Sequence, residues 1–218
     1  AMRRYLLLLT QSLALVTFPL TFGLALVADD FVNVVLGAKW SGAILPLQLL
    51  ALYASFRSVT PLLAPILHAT GEQRYAARNS LVAALVLPIG FFFGSRWGTA
   101  GIAATWIVLH PPVVWLVYRK VAQRIELKFA AYLLALRPAM IGSIAMAAAV
   151  LVARFTLHPV DRHFALAAEI ATGALVYAGY LLAFESERIA AGRRLLASIR
   201  GRSADPVPVA PSAPPVSA

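Results

Sequence analysis

Long apolar runs are the feature that most constrains what this 218-residue chain can fold into. A run of about 20 apolar residues spans the hydrocarbon core of a bilayer as an α-helix, and lipid offers no partner to an unpaired backbone group. Only 13% of the residues are charged, whereas soluble domains carry about a quarter. The sequence therefore predicts an all-α membrane protein.

Six runs are long enough to be transmembrane helices. They cover Tyr5 to Ala28, Ala43 to Leu67, Ala76 to Gly94, Thr99 to Tyr118, Ala139 to Phe155 and Phe164 to Phe184. We therefore predict a bundle of six transmembrane helices within residues 1–185, with the segment from Arg119 to Arg137 as its longest inner loop.

The arginines and lysines predict how the bundle is oriented. With the amino terminus inside, 14 of the 19 basic residues lie in inner segments and four in outer ones. Cytoplasmic loops carry such an excess, so we expect both termini to be cytoplasmic. The net charge of +10 does not predict binding to nucleic acid, because the basic residues lie between apolar runs and not on one solvated face.

The carboxy-terminal part of the chain differs from the bundle in composition. Residues 186–202 place apolar side chains near one helical face and five arginines largely around the others. This pattern predicts a cytoplasmic amphipathic helix lying on anionic membrane lipids, although a solvated charged helix fits it equally well. Residues 203–218 are rich in proline and alanine and are predicted to be a disordered tail.

Few residues in the loops could support catalysis or bind a metal. The chain has no cysteine, which excludes disulfides, thiolate metal sites and cysteine nucleophiles. Asp29 and Asp30 are adjacent, and we interpret them as caps of the short helix that follows. His158, Asp161 and His163 resemble a metal or acid–base site but occupy a brief loop without further ligands. We therefore predict no catalytic residue, no metal and no cofactor.

One charged residue, Arg57, belongs to none of the loops. A charge near the bilayer centre costs from about 3 to over 10 kcal/mol, so it persists mainly where it faces a cavity or a partner. Pro61 cannot donate to the carbonyl of residue 57, which predicts a kink and a free acceptor beside the cation. We interpret Arg57 as a cavity residue that binds an anionic substrate group such as a diphosphate. The alternatives are a re-entrant or interfacial placement, or a structural ion pair with Glu169.

A second polar position lies in the stretch "WIVLHPPVVW". His110 is near the middle of the fourth run, and Pro111 and Pro112 after it interrupt the helical hydrogen-bond ladder. His110 could titrate during a transport cycle, but the favoured interpretation is a bond to a backbone carbonyl that the prolines release. We predict helix-break or gating positions at Pro61, Pro65, His110, Pro111 and Pro112.

Two stretches resemble a known family. One is "FPLTFGLALVADDFVNVVLGAKW", in which a Phe-Pro helix is followed by an apolar outer segment, and the other is the tight hairpin "SRWGTAGIAATW". Over roughly Tyr5 to Arg124 the order of these features is similar to the polysaccharide (oligosaccharide) flippase family. That family belongs to the multidrug, oligosaccharidyl-lipid and polysaccharide exporter superfamily.

The resemblance implies a fold, a substrate and a partner. Members have two six-helix lobes around a central cavity and move undecaprenyl-diphosphate-linked sugar repeat units across the bacterial inner membrane by alternating access. This chain resembles most of the carboxy-terminal lobe, so the resemblance implies a missing amino-terminal lobe or a second chain. It also implies that Arg57 meets the diphosphate-sugar head.

Two other functions fit the same residues. A membrane enzyme could act on lipid-linked sugars through His110 or through the loop of His158, Asp161 and His163. A non-transporting scaffold for polysaccharide assembly would need none of these residues.

Overall fold

The computed structural model describes residues 2–157 and 161–184, and they form α-helices joined by short turns. The helices are α1 (Met2–Phe31), α2 (Ile44–Val59), α3 (Leu63–Ala69), α4 (Gln73–Gly94), α5 (Gly98–Arg124), α6 (Phe129–Leu157) and α7 (Arg162–Phe184). A π-helical turn covers Val32–Leu36, and 3-10 turns cover Ala38–Ala43, Thr60–Leu62 and Ser95–Trp97. No strand occurs in these residues, which confirms the predicted all-α class.

Five continuous helical stretches of the described chain are long and apolar enough to cross a membrane. They are Met2–Leu36, Ala38–Ala69, Gln73–Arg124, Phe129–Thr156 and Arg162–Phe184. The predicted number of six is not confirmed by this count, because Gln73–Arg124 holds the third and fourth predicted runs in one stretch of 52 residues. That stretch folds back on itself at Ser95–Trp97, where Gly98 has a φ of +67°.

The predicted inner loop from Arg119 to Arg137 is wrong. Helix α5 continues to Arg124 and α6 begins at Phe129, so the connection is only residues 125–128. Arg137 and Pro138 lie inside α6. A long basic side chain such as that of Arg137 can extend to the membrane surface from within a helix, so its charge does not require a loop.

The contacts divide the chain into one compact unit from Ala1 to Ala178 and a second from Gly179 onward. The second unit is described only through the end of α7 at Phe184. The predicted amphipathic helix at 186–202 and the predicted tail lie outside the described residues.

An apolar cluster forms where α1 begins, and we call this level of the first unit the Leu6 end. Its buried residues are Leu6, Leu63, Ile66, Leu67, Tyr118, Val121, Leu127 and Tyr132. They come from the start of α1, from α3, from the end of α5, from the connection after it and from the start of α6. Three regions that are distant in sequence, residues 6, 63–67 and 118–132, therefore pack together at this end.

The carboxylate of Glu72 connects the turn between α3 and α4 to α5 at the Leu6 end. Glu72 Oε1 accepts a hydrogen bond from Arg124 Nε at 2.7 Å and a second from the same guanidinium, and lies 3.1 Å from Lys120 Nζ. Hydrogen bonds from Arg124 and then Lys120 hold the pKa of Glu72 below its ordinary value of 4.5. Glu72 therefore links this turn to the last turns of α5.

The α4–α5 hairpin depends on two glycines that let the backbones approach closely. A Cβ on Gly94 would lie 2.5 Å from Thr105 Oγ1 and 2.7 Å from the carbonyl oxygen of Gly101. Thr105 Oγ1 donates to the carbonyl of Gly101 at 3.0 Å and reaches that of Gly90 at 3.3 Å. Small residues are the usual means of such close helix approach in membranes.

Gly94→Ala is expected to destabilise the hairpin by roughly 1–3 kcal/mol, the usual cost of overpacking. Thermal unfolding in detergent measures the loss. Gly42→Ala is the matched control, because a Cβ at Gly42 has nothing within 4 Å. Equal melting temperatures for the two variants would contradict the close approach.

Glu72→Gln is expected to remove a pH-dependent part of the stability. The depressed pKa of Glu72 in the folded state means that its contribution is present above the unfolded pKa and lost as pH falls through the folded one. The wild-type Tm should therefore exceed that of Glu72→Gln at neutral pH, and the gap should narrow progressively as the pH falls below the ordinary pKa of 4.5. Glu126→Gln, at an exposed position, is the control, and a gap that persists in acid would exclude the mechanism.

Candidate functional site

Three helices place Arg57 at the middle depth of the first unit. The hydroxyl of its neighbour Ser58 lies 2.9 Å from that of Thr17, and Thr17 is near the midpoint of α1. Arg57 also acts electrostatically on His110, which is near the midpoint of α5. Arg57 therefore lies at the level of the midpoints of α1 and α5.

Arg57 is exposed on the surface of the chain. Within the described residues it makes no ion pair and donates no hydrogen bond. Glu169, its predicted alternative partner, is buried near Arg154 and Asp30, so the ion pair between Arg57 and Glu169 does not form. Nothing in the described part of the chain neutralises this cation.

The helix that carries Arg57 is interrupted directly after it. Helix α2 ends at Val59, the 3-10 turn Thr60–Leu62 contains Pro61, and α3 follows. The prediction that the backbone carbonyl of residue 57 is a free acceptor is wrong, because Thr60 Oγ1 donates a hydrogen bond to it at 3.0 Å. Arg57 lies in the last turn of α2, where unpaired carbonyls favour a cation.

After the 3-10 turn the chain continues as α3, which belongs to the same helical stretch, Ala38–Ala69, as α2. Helix α3 contains Pro65 in its first turn and runs to Ala69, and Leu63 and Leu67 pack with Leu6. Within Ala38–Ala69, Ser58 in the middle thus contacts Thr17, and Leu63 and Leu67 near the end contact Leu6, which precedes Thr17 in α1. The path is a single antiparallel crossing beside α1, which does not fit the re-entrant alternative.

Aromatic rings surround His110 on the face toward α2. The ring centroid of Tyr53 lies 5.5 Å from His110 and 5.4 Å from Trp106, and that of Phe56 lies 6.3 Å from His110. His110 Nδ1 and the hydroxyl of Tyr53 are buried without a hydrogen-bond partner in the described chain. The expected bond to a backbone carbonyl is therefore not made by this nitrogen.

Helix α5 remains α-helical through Pro111 and Pro112, so no 3-10 turn like the one at Pro61 marks this predicted break. The structure nevertheless brings together two positions that are 53 residues apart in sequence, Arg57 and His110. The sequence offered no signal for that proximity.

An apolar groove lies beside this pair. It has a volume of about 800 Å³ and is lined by side chains of α1, α2, α3, α5, α6 and the 3-10 turn Thr60–Leu62, among them Phe56, Thr60, Pro111 and Pro112. Arg57 is not among the lining residues, but Phe56 next to it is. A cation and an elongated apolar surface are thus adjacent at the middle depth of the chain.

A polar cluster occupies the opposite end of α1, and we call this level the Asp30 end. Arg154 Nη2 lies 3.1 Å from Asp30 Oδ2 and 3.4 Å from Asp29 Oδ2, and Arg162 Nε lies 3.4 Å from Asp30 Oδ1. Arg154 Nη1 also donates to the carbonyl of Leu26 at 3.2 Å. The predicted capping role of Asp29 and Asp30 is wrong, because both lie in the last turn of α1 and pair with arginines of α6 and α7.

The predicted histidine and aspartate loop is described only in part. Asp161 Oδ1 accepts hydrogen bonds from the backbone N–H of His163 at 2.9 Å and of Phe164 at 3.4 Å, so Asp161 caps the start of α7. His158 lies outside the described residues. Among residues 2–157 and 161–184, no three His, Cys, Asp or Glu side chains are placed to hold a metal ion.

Comparison with known proteins links the chain to polysaccharide biosynthesis. Residues 1–45 match the family model described as polysaccharide biosynthesis protein. An uncharacterized membrane protein in the cps region of Klebsiella pneumoniae is 28% identical over 101 residues, which are 46% of this chain and 21% of that protein. The teichuronic acid biosynthesis protein TuaB of Bacillus subtilis is 30% identical over 181 residues, which are 78% of this chain and 36% of that protein.

No solved structure matches the chain. The chain spans about a fifth of one of these curated relatives and about a third of the other. The matches agree with each other and with the resemblance of the Phe-Pro helix and its outer segment, which fall largely within residues 1–45. These matches support a relationship of the chain to membrane proteins of polysaccharide biosynthesis.

Proposed function

We propose that the chain is part of a flippase that moves undecaprenyl-diphosphate-linked oligosaccharides across the bacterial inner membrane for polysaccharide biosynthesis. The proposal involves no chemical step and no cofactor. Its support is the similarity of the chain to polysaccharide biosynthesis proteins together with the helical stretches that could cross a membrane. Because the chain spans only part of its relatives, an amino-terminal lobe or a second chain would complete the transport path.

The observation that carries the proposal is the position of Arg57. A cation at middle depth, exposed and without an acidic partner in the described chain, cannot face hydrocarbon without a large cost. The charge of Arg57 is stable when the exposed surface around its guanidinium borders water or an anion. A diphosphate supplies oxygen acceptors that suit the planar guanidinium, which can bond to two of them at once.

The groove beside Arg57 supports an amphipathic substrate. Its lining is almost entirely apolar, so it suits a hydrocarbon chain, whereas Arg57 suits the charged head. Both lie at the level of the 3-10 turn Thr60–Leu62. We infer that the helix bends at this turn as the cavity opens alternately to the two sides, with Pro61 lowering the cost because it donates no backbone hydrogen bond.

The orientation follows from the same proposal. The Leu6 end carries Arg74, Arg119, Lys120 and Arg124 near the ends of α4 and α5. An excess of positive charge favours the cytoplasmic side. We propose that this end is cytoplasmic, with both chain termini on the same side and the Asp30 end outside.

Substitution of Arg57 tests the proposed role. In vesicles that contain the complete transporter, Arg57→Ala should slow the movement of undecaprenyl-diphosphate-linked oligosaccharide roughly 10- to 100-fold, because a charge-assisted hydrogen bond contributes about 1.5–3 kcal/mol. Arg57→Lys should retain partial activity, since it keeps the charge but not the two-point geometry.

Arg78→Ala is the matched control, because Arg78 is also an exposed arginine of a long helix but lies near the start of α4. It should transport at the wild-type rate. Equal rates in wild type, Arg57→Ala and Arg57→Lys would reject the cavity role of Arg57. If the Arg57→Ala chain then still bound its assembly partners, a scaffold function would explain the family relationship better.

A further inference from the structure

Glu169 is a buried carboxylic group that the proposed function does not use. Its side chain is 1% exposed, and its Oε2 atom has no hydrogen-bond partner within the described residues. It lies on the buried face of α7 with Leu166, Gly173 and Tyr177. A Cβ on Gly173, one turn further on, would already lie 3.1 Å from Val150 Cγ2, so α6 and α7 are tightly packed here.

The charged groups around Glu169 come from two neighbouring helices. Asp30 and Asp29 of α1 and Arg154 of α6 act on it electrostatically. Arg154 is already shared between Asp29, Asp30 and the carbonyl of Leu26. Arg162, near the start of α7, pairs with Asp30.

The charge balance of this cluster depends on whether Glu169 carries a proton. Two aspartates face two arginines, so the cluster is neutral when Glu169 is neutral. An ionised Glu169 would add a third negative charge, with one oxygen buried and unpaired. A buried charge without a partner is costly, and a carboxyl group avoids that cost by binding a proton.

We propose that Glu169 is a proton-binding site and that it competes with Asp29 and Asp30 for Arg154. While Glu169 holds its proton, Arg154 stays with the aspartates and ties α6 to the end of α1. When the proton leaves, the carboxylate attracts Arg154 toward α7 and weakens that tie. This site lies at the Asp30 end and is separate from Arg57, so it goes beyond the proposed function.

The binding of the proton can be measured without transport. Infrared spectra of the chain in a detergent without carbonyl groups, recorded from about pH 6 upward, where exposed carboxyl groups are ionised, should show the carbonyl stretch of a protonated carboxylic group. Glu169→Gln should abolish this band, whereas Glu126→Gln, at an exposed position, should leave it unchanged. A band that is absent in wild type, or that survives in Glu169→Gln, overturns the site.

The competition of Glu169 with Asp29 and Asp30 for Arg154 is tested by a distance measurement between the π-helical turn that follows α1 and helix α6. The chain has no cysteine, so spin labels can be placed specifically at the exposed positions Val35 and Val152. The distance between the labels should change across the same pH range in wild type and stay at its low-pH value in Glu169→Gln. The same pH response in both proteins would overturn the coupling.

If Glu169→Gln does not fold, Glu169→Asp keeps a titratable carboxyl group at the site. Its shorter side chain should move the infrared band and the midpoint of its titration, because the carboxyl group sits differently among Asp30 and Arg154. An unchanged band and midpoint in Glu169→Asp would show that the proton is bound elsewhere.

Discussion

The structure depends on one constraint, which is that hydrocarbon satisfies neither backbone polar groups nor charges. The backbone meets it by forming helices over nearly all of the described residues. The charged side chains meet it mostly by pairing near helix ends, with Glu72 between Arg124 and Lys120 at the Leu6 end and Asp29 and Asp30 with Arg154 at the other. A charged side chain that lies away from the helix ends and has no oppositely charged partner therefore indicates another role.

Two arginines show how the same residue type takes opposite roles. Arg154 lies near the end of α6 and is held by Asp29 and Asp30, so it joins helices. Arg57 lies at middle depth, is exposed and has no such partner in the described chain. The first arginine supports the packing of α6 against α1, whereas the second leaves its charge exposed.

Sequence patterns predicted much of the fold. The apolar runs located all the long helices approximately, and Pro61 indicated the interruption that the turn Thr60–Leu62 shows. The start of α6 at Phe129 was missed because the basic segment from Arg119 to Arg137 was assigned to an inner loop. Glu72 was missed as well, although an acidic residue among many basic ones in the inner segments was a usable signal. The roles assigned to Arg57 and the proline positions stay predictions.

By itself, the sequence determined that the chain is helical and membrane-embedded and that Arg57 is an unusual charge, because apolar length and charge spacing are local properties of the chain. Only the tertiary structure decided which charges are compensated. Glu72 and Arg124 are 52 residues apart and Asp29 and Arg154 are 125 apart, so no local pattern relates them. The packing of the helices brings those pairs together and leaves Arg57 and Glu169 without a comparable partner in the described residues, because pairing depends on distance in space and not along the chain.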